Sequence, residues 1–365
     1  MKIHFIAIVA LFQLVLIFLS FIVYKVFIIS FGFQSSVILA LLVGLSFVFV
    51  LAPILAMRYE SRIVRWFHFF SMYWIVLVGI LFAGSFVFIL LHDIATAFKF
   101  EFLLTNAVWL SFWGSIFIYF YGISNARTLR VKNIDIEMKN IPEWWRGKKI
   151  VFLSDTHLGN EYRSGFSKKI VKKIRFIAPE AVFIGGDFFD GVKCDAEKLI
   201  HPFKNLKVPH GIYFISGNHD YSRYSELFFK AIRNSGITIL KNKVEKIEGI
   251  NFYGVDYEDT KKKETFKKVL SDFKINRDEI NVLIKHVPDN VNISEEAGIK
   301  LQLSGHTHHG QVFPLLYLTR FLFDGYDYGL KKYKNMKIYI SSGAGAASAP
   351  FRFGTNSEIV VIKFV

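Results

Sequence analysis

The stretch Lys149–Gly159, KIVFLSDTHLG, decides the fold of the larger part of this chain. It opens with a short apolar run, which is typical of a strand that is buried on both faces of a sheet. Asp155 and His157 follow directly where the run ends. Because open α/β sheets bind ligands beyond the carboxyl ends of their strands, this arrangement predicts a functional site at that edge.

The same arrangement recurs along the chain after residue 149. Short apolar runs alternate with polar helical patterns, and five of the runs end in a polar cluster. The clusters consist of Asp155 and His157, of Asp187 and Asp190, of Asn218, His219 and Asp220, of His286, and of His306 and His308. A single Asp or His at the end of a strand more often has a structural role than a catalytic one. Five such clusters favour one shared site, and residues 149–365 are predicted to form one α/β domain.

The side chains in these clusters form a ligand set for metal ions. Carboxylate oxygen, amide oxygen and imidazole nitrogen together suit a pair of divalent transition metals. In an extended segment, residues two apart point the same way, so we expect Asp155 and His157 to face one site. The same alternation predicts that His306 and His308 face the site and that His309 points away.

The first third of the chain has a different character. Residues 1–124 contain six Lys and Arg and three Asp and Glu, so +3 of the formal net charge of +15 lies there and +12 in the rest. Four apolar stretches reach the roughly 20 residues that cross a bilayer. They run from about Ile3 to Tyr24, Ser36 to Met57, Trp66 to Leu91 and Phe102 to Ile123.

A signal peptide and buried core helices are the alternatives for these stretches. A signal peptide has a shorter apolar stretch, and here three further spans follow the first. We therefore predict a transmembrane region at residues 1–124, followed at residues 125–148 by a connecting segment with a short strand and a turn.

The distribution of charge around the spans predicts their orientation. Lys and Arg near span ends are retained on the cytoplasmic side, and with four spans the more basic segments all fall on one side. Those segments hold Lys2, Arg58, Arg62, Arg65, Arg127, Arg130 and Lys132. We expect a multi-pass protein of the inner, cytoplasmic membrane with its α/β domain in the cytoplasm. The single cysteine, Cys194, fits this compartment because it can form no intrachain disulfide.

The basic charge favours membrane lipids over nucleic acid as the partner. Lysines are scattered through KKIVKKIR, DTKKKETFKKVL and GLKKYKN, and the chain has no recognisable nucleic-acid motif. Scattered lysines indicate solvated faces and attraction to a membrane surface. We expect membrane lipids as partners and no nucleic acid.

The order DTH, GGDFFD, GNHD, H and GHTH resembles the calcineurin-like metallophosphoesterase superfamily over residues 149–365. GHTHHGQ and SSGAGAASAPFRFGTNSEIVVIKF are similar to its membrane-associated branch, which usually has glycine where His309 stands. The resemblance implies a four-layer αββα sandwich. It also implies a hydrolase of phosphoric esters or diphosphates with two divalent metal ions, for which we expect manganese, with iron and zinc as alternatives.

The resemblance also implies a role for each residue. Asp187 would bridge the two metals. The first metal would also take Asp155, His157 and His308, and the second would take Asn218, His286 and His306. His219 is the expected proton donor to the leaving oxygen, with Asp220 orienting its ring. Two neighbouring cations stabilise phosphoryl oxygens and activate water, so this chemistry needs no protein nucleophile.

Three further features leave alternatives open. Asp190 either holds a metal ligand from behind or caps a helix. Arg352 either contacts the substrate phosphate, as the resemblance implies, or is a surface arginine. The stretch Phe313–Phe323, FPLLYLTRFLF, is either core or an exposed apolar patch beside the site, and we favour the patch. The side chains expected to contact the substrate there are Phe313, Leu316 and Phe321.

A metallohydrolase held at a membrane is well placed to act on a lipid-linked phosphoester or a nucleotide-lipid. The superfamily includes the UDP-2,3-diacylglucosamine pyrophosphohydrolases of lipid A synthesis, and we predict hydrolysis of UDP-2,3-diacylglucosamine to UMP and 2,3-diacylglucosamine 1-phosphate. One alternative is a phosphodiesterase or phosphatase that acts on another lipid or envelope phosphoester. An alternative of another class is an inactive membrane sensor or scaffold, which would have no need of two metal ions.

Overall fold

The computed structural model describes residues 2–28, 30–32, 35–59 and 61–365, and the chain divides into two compact units, Met1–Ser124 and Asn125–Val365. The first unit is helical. Its helices are α1 (Lys2–Val23), α2 (Ser36–Arg58), α3 (Arg62–Phe98) and α4 (Glu101–Arg127), and a π-helical turn at Tyr24–Ile28 follows α1.

Four segments of the described residues are long and apolar enough to cross a membrane. They are Val9–Ile28, Ser36–Ala56, Arg62–Phe98 and Asn106–Arg127. Large apolar side chains such as Phe86, Trp113 and Phe117 remain exposed on these helices, as expected for side chains that face lipid. The prediction of four apolar helices is confirmed, although the third, with 37 residues, is longer than the sequence pattern indicated.

The second unit contains two six-stranded sheets. The strands are β1 (Leu129–Ile136), β2 (Lys149–Leu153), β3 (Ala181–Gly185), β4 (Ile212–Ile215), β5 (Thr238–Ile239), β6 (Lys243–Ile247), β7 (Ile250–Gly254), β8 (Ile280–Ile284), β9 (Leu301–Ser304), β10 (Gly329–Tyr333), β11 (Met336–Ile340) and β12 (Ser357–Phe364). The first sheet has the order β1-β12-β2-β3-β4-β5, and the second has the order β10-β11-β9-β8-β7-β6.

The segment that was predicted to connect the two parts of the chain belongs to the first sheet. Strand β1 pairs with β12 in parallel, with Leu129 opposite Ser357 and Ile136 opposite Phe364. Residues 125–148 therefore contribute an edge strand to the α/β unit.

The described part of this unit also has seven α-helices. They are α5 (Ser164–Ile177), α6 (Ala196–Ile200), α7 (Ser225–Asn234), α8 (Tyr257–Thr260), α9 (Lys263–Asp272), α10 (Val291–Glu296) and α11 (Leu315–Leu322). One apolar cluster joins the first sheet to α5, α6 and α7, and another joins the second sheet to α9 and α10. A third cluster lies between the sheets, where the rings of Phe183 and Phe252 stack with centroids 4.5 Å apart. The expected four-layer αββα sandwich is confirmed.

The central strands are parallel and fully buried, which explains their continuous apolar runs. In the first sheet β2, β3 and β4 run in parallel, and in the second sheet β7, β8 and β9 do so. The loops after these strands meet at one edge of the sandwich, where the amide of Gly305 donates to the carbonyl of His286 at 2.9 Å. That edge carries the polar clusters found in the sequence.

Candidate metal centre

The five loops bring all seven candidate ligands together. Three groups have potential ligand atoms that lie within 4.8 Å of one another. They are Asp155 with His157 and His308, His157 with Asp187 and His219, and Asp187 with His286 and His306. Asn218 joins the last group, since its side-chain oxygen lies 3.2 Å from Nε2 of His286.

The backbone that carries these ligands is curled, so the expectation of extended segments was wrong. Strands β2 and β9 end at Leu153 and Ser304, before the first ligand of each loop. Asp155, His157 and Asp187 have φ values of 52°, 47° and 50°, and His306 and His308 have values of 73° and 49°. These left-handed conformations are uncommon for residues other than glycine and are concentrated at functional sites. The paired ligands face one site because the chain turns, not because a strand alternates.

The first group is buried and has the geometry of a cation site. Nε2 of His157 and Nε2 of His308 lie 3.1 Å apart, and Nε2 of His308 lies 3.6 Å from a carboxylate oxygen of Asp155. Two imidazole nitrogens and a carboxylate oxygen that converge in a buried pocket suit a shared divalent cation. This donor set therefore fits the first of the two expected metals.

Asp187 connects the group of Asp187, His286 and His306, called the second group from here on, to the first group. One carboxylate oxygen of Asp187 lies 3.3 Å from Nε2 of His286 and 3.9 Å from Nε2 of His157. On the far side, Nδ1 of His306 lies 3.3 Å from Nε2 of His286. Asp187 thus lies between the two groups, which is the position of a bridging ligand.

Comparison with known proteins agrees with this geometry. A model of the calcineurin-like phosphoesterase family matches residues 148–310. An uncharacterized metallophosphoesterase of Campylobacter jejuni is 30% identical over 254 residues, which cover 68% of this chain and 67% of that protein. The chain belongs to the calcineurin-like phosphoesterase family. The matched segment contains all seven candidate ligands and His219, and the family depends on a binuclear metal centre.

Two further relatives show the range of the match. An uncharacterized metallophosphoesterase of Helicobacter pylori is 34% identical over 223 residues, which cover 60% of this chain and 60% of that protein. A transmembrane protein with metallophosphoesterase domain from Danio rerio is 29% identical over 263 residues, which cover 67% of this chain and 60% of that protein. The chain therefore spans about 60% of the length of the Helicobacter and Danio relatives.

In this calcineurin-like site, the carboxylate of Asp190 contacts the candidate ligand His157 on the side of the ring opposite its Nε2. Its Oδ1 lies 3.0 Å from Nδ1 of His157, so the opposite nitrogen of the ring faces the metal site. Helix α6 is capped by Asp195 instead, whose side chain accepts from the amide of Lys198. Of the two roles considered for Asp190, the structure favours the first.

Asp190 is also the acid next to His219, which corrects the role expected for Asp220. The ring nitrogen Nδ1 of His219 lies 3.3 Å from the carbonyl oxygen of Asp190 and 3.8 Å from its Oδ1. The buried carboxylate of Asp220 instead accepts from the amides of Gly217 at 2.8 Å, and of Phe188 and Phe189, each at 3.1 Å. Asp220 therefore connects the loops after β3 and β4 by hydrogen bonds. The ring of His219 is positioned by Asp190.

Arg352 also differs from expectation, because its guanidinium is fully buried. It donates to the carbonyl oxygens of His308 at 3.1 Å and Gly345 at 2.8 Å, and to that of Ser342. A contact with a substrate phosphate requires an exposed guanidinium, and this one is used within the protein. Arg352 is a positioning residue for the loop that carries His308. The sequence could not reveal this, because its partners lie up to 44 residues away.

His309 lies outside the three metal-binding groups. Its ring stacks on Tyr328 with centroids 4.2 Å apart, and its Nε2 lies 3.9 Å from a carboxylate oxygen of Asp327. Its φ of 53° lies in the left-handed region that favours glycine. The position at which the sequence resemblance led us to expect glycine thus has a backbone conformation suited to glycine.

Burial and charge divide the histidines into two classes in the metal-free protein. Burial, with the neighbouring His286, lowers the pKa of His306 to about 3, and burial also lowers the pKa of His308. Burial opposes protonation of His286 too, but the Asp187 carboxylate outweighs it and raises the pKa of His286 to about 9. Neutral imidazole is the form that binds metals, so His286 as a metal ligand would lose this proton.

Metal affinity is therefore expected to rise with pH. Below about pH 9 the metal-free protein holds a proton on His286, and this proton competes with the metal. Because one proton must leave His286 for each metal bound, metal affinity should fall about tenfold for each pH unit below that value. Calorimetric titration of manganese at about pH 7 and about pH 8 measures how affinity changes with pH. The control, His201→Gln, should show the same change as wild type. Equal affinity at both pH values would contradict this expectation.

The position of Asp190 leads to a second expectation. Asp190→Ala removes the hydrogen-bond acceptor at Nδ1 of His157. Loss of a hydrogen bond that orients a metal ligand typically lowers metal affinity by about 10- to 100-fold. Equilibrium dialysis against manganese measures this change. Asp195→Ala is the matched control, because it removes a nearby carboxylate that caps a helix and supports no ligand. Equal affinities of the two variants would contradict the assignment.

Proposed function

We propose that this protein is a membrane-anchored, metal-dependent phosphohydrolase that cleaves UDP-2,3-diacylglucosamine to UMP and 2,3-diacylglucosamine 1-phosphate. The reaction class rests on the converging ligand groups, since two divalent cations supply Lewis-acid stabilisation of phosphoryl oxygens and activation of water. We expect manganese in both positions, with iron and zinc as alternatives of similar ligand preference.

The chain's own residues have defined tasks in this proposal. The carboxylate of Asp187 holds the two ligand groups together, and Asp190 orients the rings of both His157 and His219. The ring of His219 is only partly buried, with its side chain 37% exposed. It can therefore reach a bound substrate and deliver a proton to the leaving oxygen, as a general acid does.

One observation carries the choice of an acylated substrate, namely the exposure of helix α11. None of the residues in this helix is buried, and Phe321 is 79% exposed. Phe313, before the helix, is also exposed, and Leu316 is half-buried. An exposed apolar helix in a polar surface marks a binding site for an apolar partner.

Helix α11 is also adjacent to the metal ligands. The helix begins at Leu315, a few residues after His308, and the ring of Phe323 after the helix lies edge-on to the ring of His306, with centroids 5.9 Å apart. A substrate with a diphosphate at the metal site and acyl chains on α11 would use both surfaces. Phe313, Leu316 and Phe321 are the proposed contacts for the acyl chains.

The proposed location follows from the charges around the spans. The basic segments between and after the apolar helices favour a cytoplasmic position for the α/β unit, at the inner membrane. A lipid-linked nucleotide at the inner leaflet would be within reach of a hydrolase held there.

The test is a hydrolysis assay with the full chain purified in detergent and supplied with manganese. Wild type should release UMP from UDP-2,3-diacylglucosamine, and Asn218→Ala and His219→Ala should not. Phe321→Asn should raise KM for this substrate several-fold and leave hydrolysis of bis-p-nitrophenyl phosphate unchanged. Leu227→Asn, which alters an exposed leucine on α7, is the matched control.

Two outcomes would contradict the proposal at different levels. Cleavage of bis-p-nitrophenyl phosphate without cleavage of the sugar lipid would exclude the lipid substrate and retain a hydrolase of another phosphoester. Cleavage of neither by protein that has bound two metals would exclude the hydrolase and favour a sensor or scaffold.

A further inference from the structure

Helix α5 presents a strongly basic outer face that the metal centre does not use. Its buried side is apolar and includes Ile170, Ile174 and Ile177. Its other side carries Lys168, Lys169, Lys172, Lys173 and Arg175, and the helix has no acidic residue. Among the residues that the structure describes, no carboxylate forms an ion pair with these five cations. Lys169 and Arg175 donate to the backbone carbonyls of Arg127 and Asn205, and the basic face as a whole carries positive charge that no described carboxylate neutralises.

The same face carries an apolar side chain that no fold requirement explains. Phe176 is 92% exposed. Residues four apart lie along one line of a helix, so Lys168, Lys172 and Phe176 form a single row. An exposed aromatic ring among lysines is typical of helices that lie at the interface of an anionic membrane.

A groove beside α5 has the size and charge for a phosphorylated headgroup. It has a volume of about 300 Å³ and lies between the helix and the turn at His201–Asn205. Lys168, Lys172 and Arg175 line it together with the apolar Val171 and Pro202. Basic pockets of this kind bind lipid headgroups.

Helix α5 is also attached to the backbone at which the last apolar helix ends. Nζ of Lys169 donates to the carbonyl oxygen of Arg127 at 2.9 Å, and the hydroxyl of Tyr162, just before the helix, donates to that of Ala126 at 3.3 Å. Arg127 is the last residue of the candidate span Asn106–Arg127. The basic face therefore starts close to the point at which the chain would leave a bilayer.

We propose that the basic face of α5 binds the anionic phospholipid headgroups of the membrane, with Phe176 inserted at the level of the headgroups. The charge, the exposed ring and the link to Arg127 all favour a lipid surface over a soluble polyanion. This interaction does not depend on the substrate of the metal centre.

The test places a fluorescent label on α5 in the full chain. Cys194→Ser removes the single cysteine, and Phe176→Cys then carries a polarity-sensitive dye in nanodiscs. With about 30% phosphatidylglycerol the dye should shift to the blue and be quenched by a nitroxide lipid, because each lysine near an anionic surface contributes to attraction. In pure phosphatidylcholine the dye should remain in water. The same dye at Leu227→Cys, on α7, is the control position.

Charge removal then tests the face itself. Lys168→Gln with Lys172→Gln should lower the equilibrium constant for dye insertion by roughly 25-fold, about fivefold for each lysine. Lys267→Gln with Lys268→Gln, on α9, removes the same charge from a helix without an exposed aromatic and should have no such effect. A dye at 176 that stays equally exposed to water in both lipids would overturn the proposal. So would an equal effect of the two lysine pairs.

Discussion

Asp187→Asn is expected to abolish the binuclear metal centre and to reduce phosphoester hydrolysis by roughly a thousandfold, because metal ions supply several kcal/mol of transition-state stabilisation. The carboxylate lies within 3.9 Å of imidazole nitrogens from both ligand groups. The charge of His286 outweighs the burial of Asp187 and keeps its pKa below the usual range. Asparagine has no charge to share between two cations, although its oxygen can still accept from the amide of His219.

Metal content after dialysis and turnover of bis-p-nitrophenyl phosphate measure this effect together. Asp327→Asn is the matched control, since Asp327 is also buried but lies outside the ligand groups. The control should keep two metals and near-normal turnover. Two metals retained by Asp187→Asn would show that this carboxylate does not bridge them.

Arg352→Ala is expected to have the second large effect, on stability as well as on metal binding. The change leaves the buried carbonyl oxygens of Ser342 and Gly345 without their donor, whereas that of His308 still accepts from the amide of Gln311. Each unsatisfied buried polar group costs about 1–3 kcal/mol, so the free energy of unfolding should fall by about 3 kcal/mol or more. The loop that carries His308 should also lose its position, which would weaken binding of the first metal.

Thermal unfolding and manganese titration separate these two consequences. Arg352→Lys retains the charge but not the planar guanidinium that contacts several carbonyls at once. Its stability and manganese affinity should therefore lie between those of wild type and Arg352→Ala. Arg146→Ala is the control, because this arginine is exposed and forms only a surface ion pair with Glu143. If Arg352→Ala unfolds like wild type and binds manganese equally well, the positioning role is wrong.

The ligand candidates were predictable because their signal is local. Each follows a run of apolar residues that forms a buried strand, and open α/β sheets bind their ligands beyond the carboxyl ends of such strands. Asp190 and Asp220 show where this reasoning stops. Asp220 is next to His219 in the sequence and Asp190 is 29 residues away, but the approach of the β3 loop to the β4 loop brings Asp190 to the ring.

The surfaces of α5 and α11 illustrate the same limit for amphipathic helices. Their sequences show which residues are apolar or basic, but exposure depends on whether another element covers the helix. No residue of α11 is buried, whereas α5 buries one side and exposes Phe176 on the other. Amphipathicity alone does not distinguish a helix whose apolar face packs in the core from a helix whose apolar side chains are exposed.

The four apolar helices, the α/β class and the candidate metal ligands were accessible from the sequence alone, because hydrophobic periodicity and residue type are properties of short segments. Tertiary structure decided the left-handed turns at the ligands, the burial of Arg352 and the partners of Asp220. These depend on contacts between residues that are far apart in the chain, such as Arg352 with His308 and Asp220 with Phe188. Such contacts form only when separate strands pack together, so the pattern of residues within a short segment does not predict them.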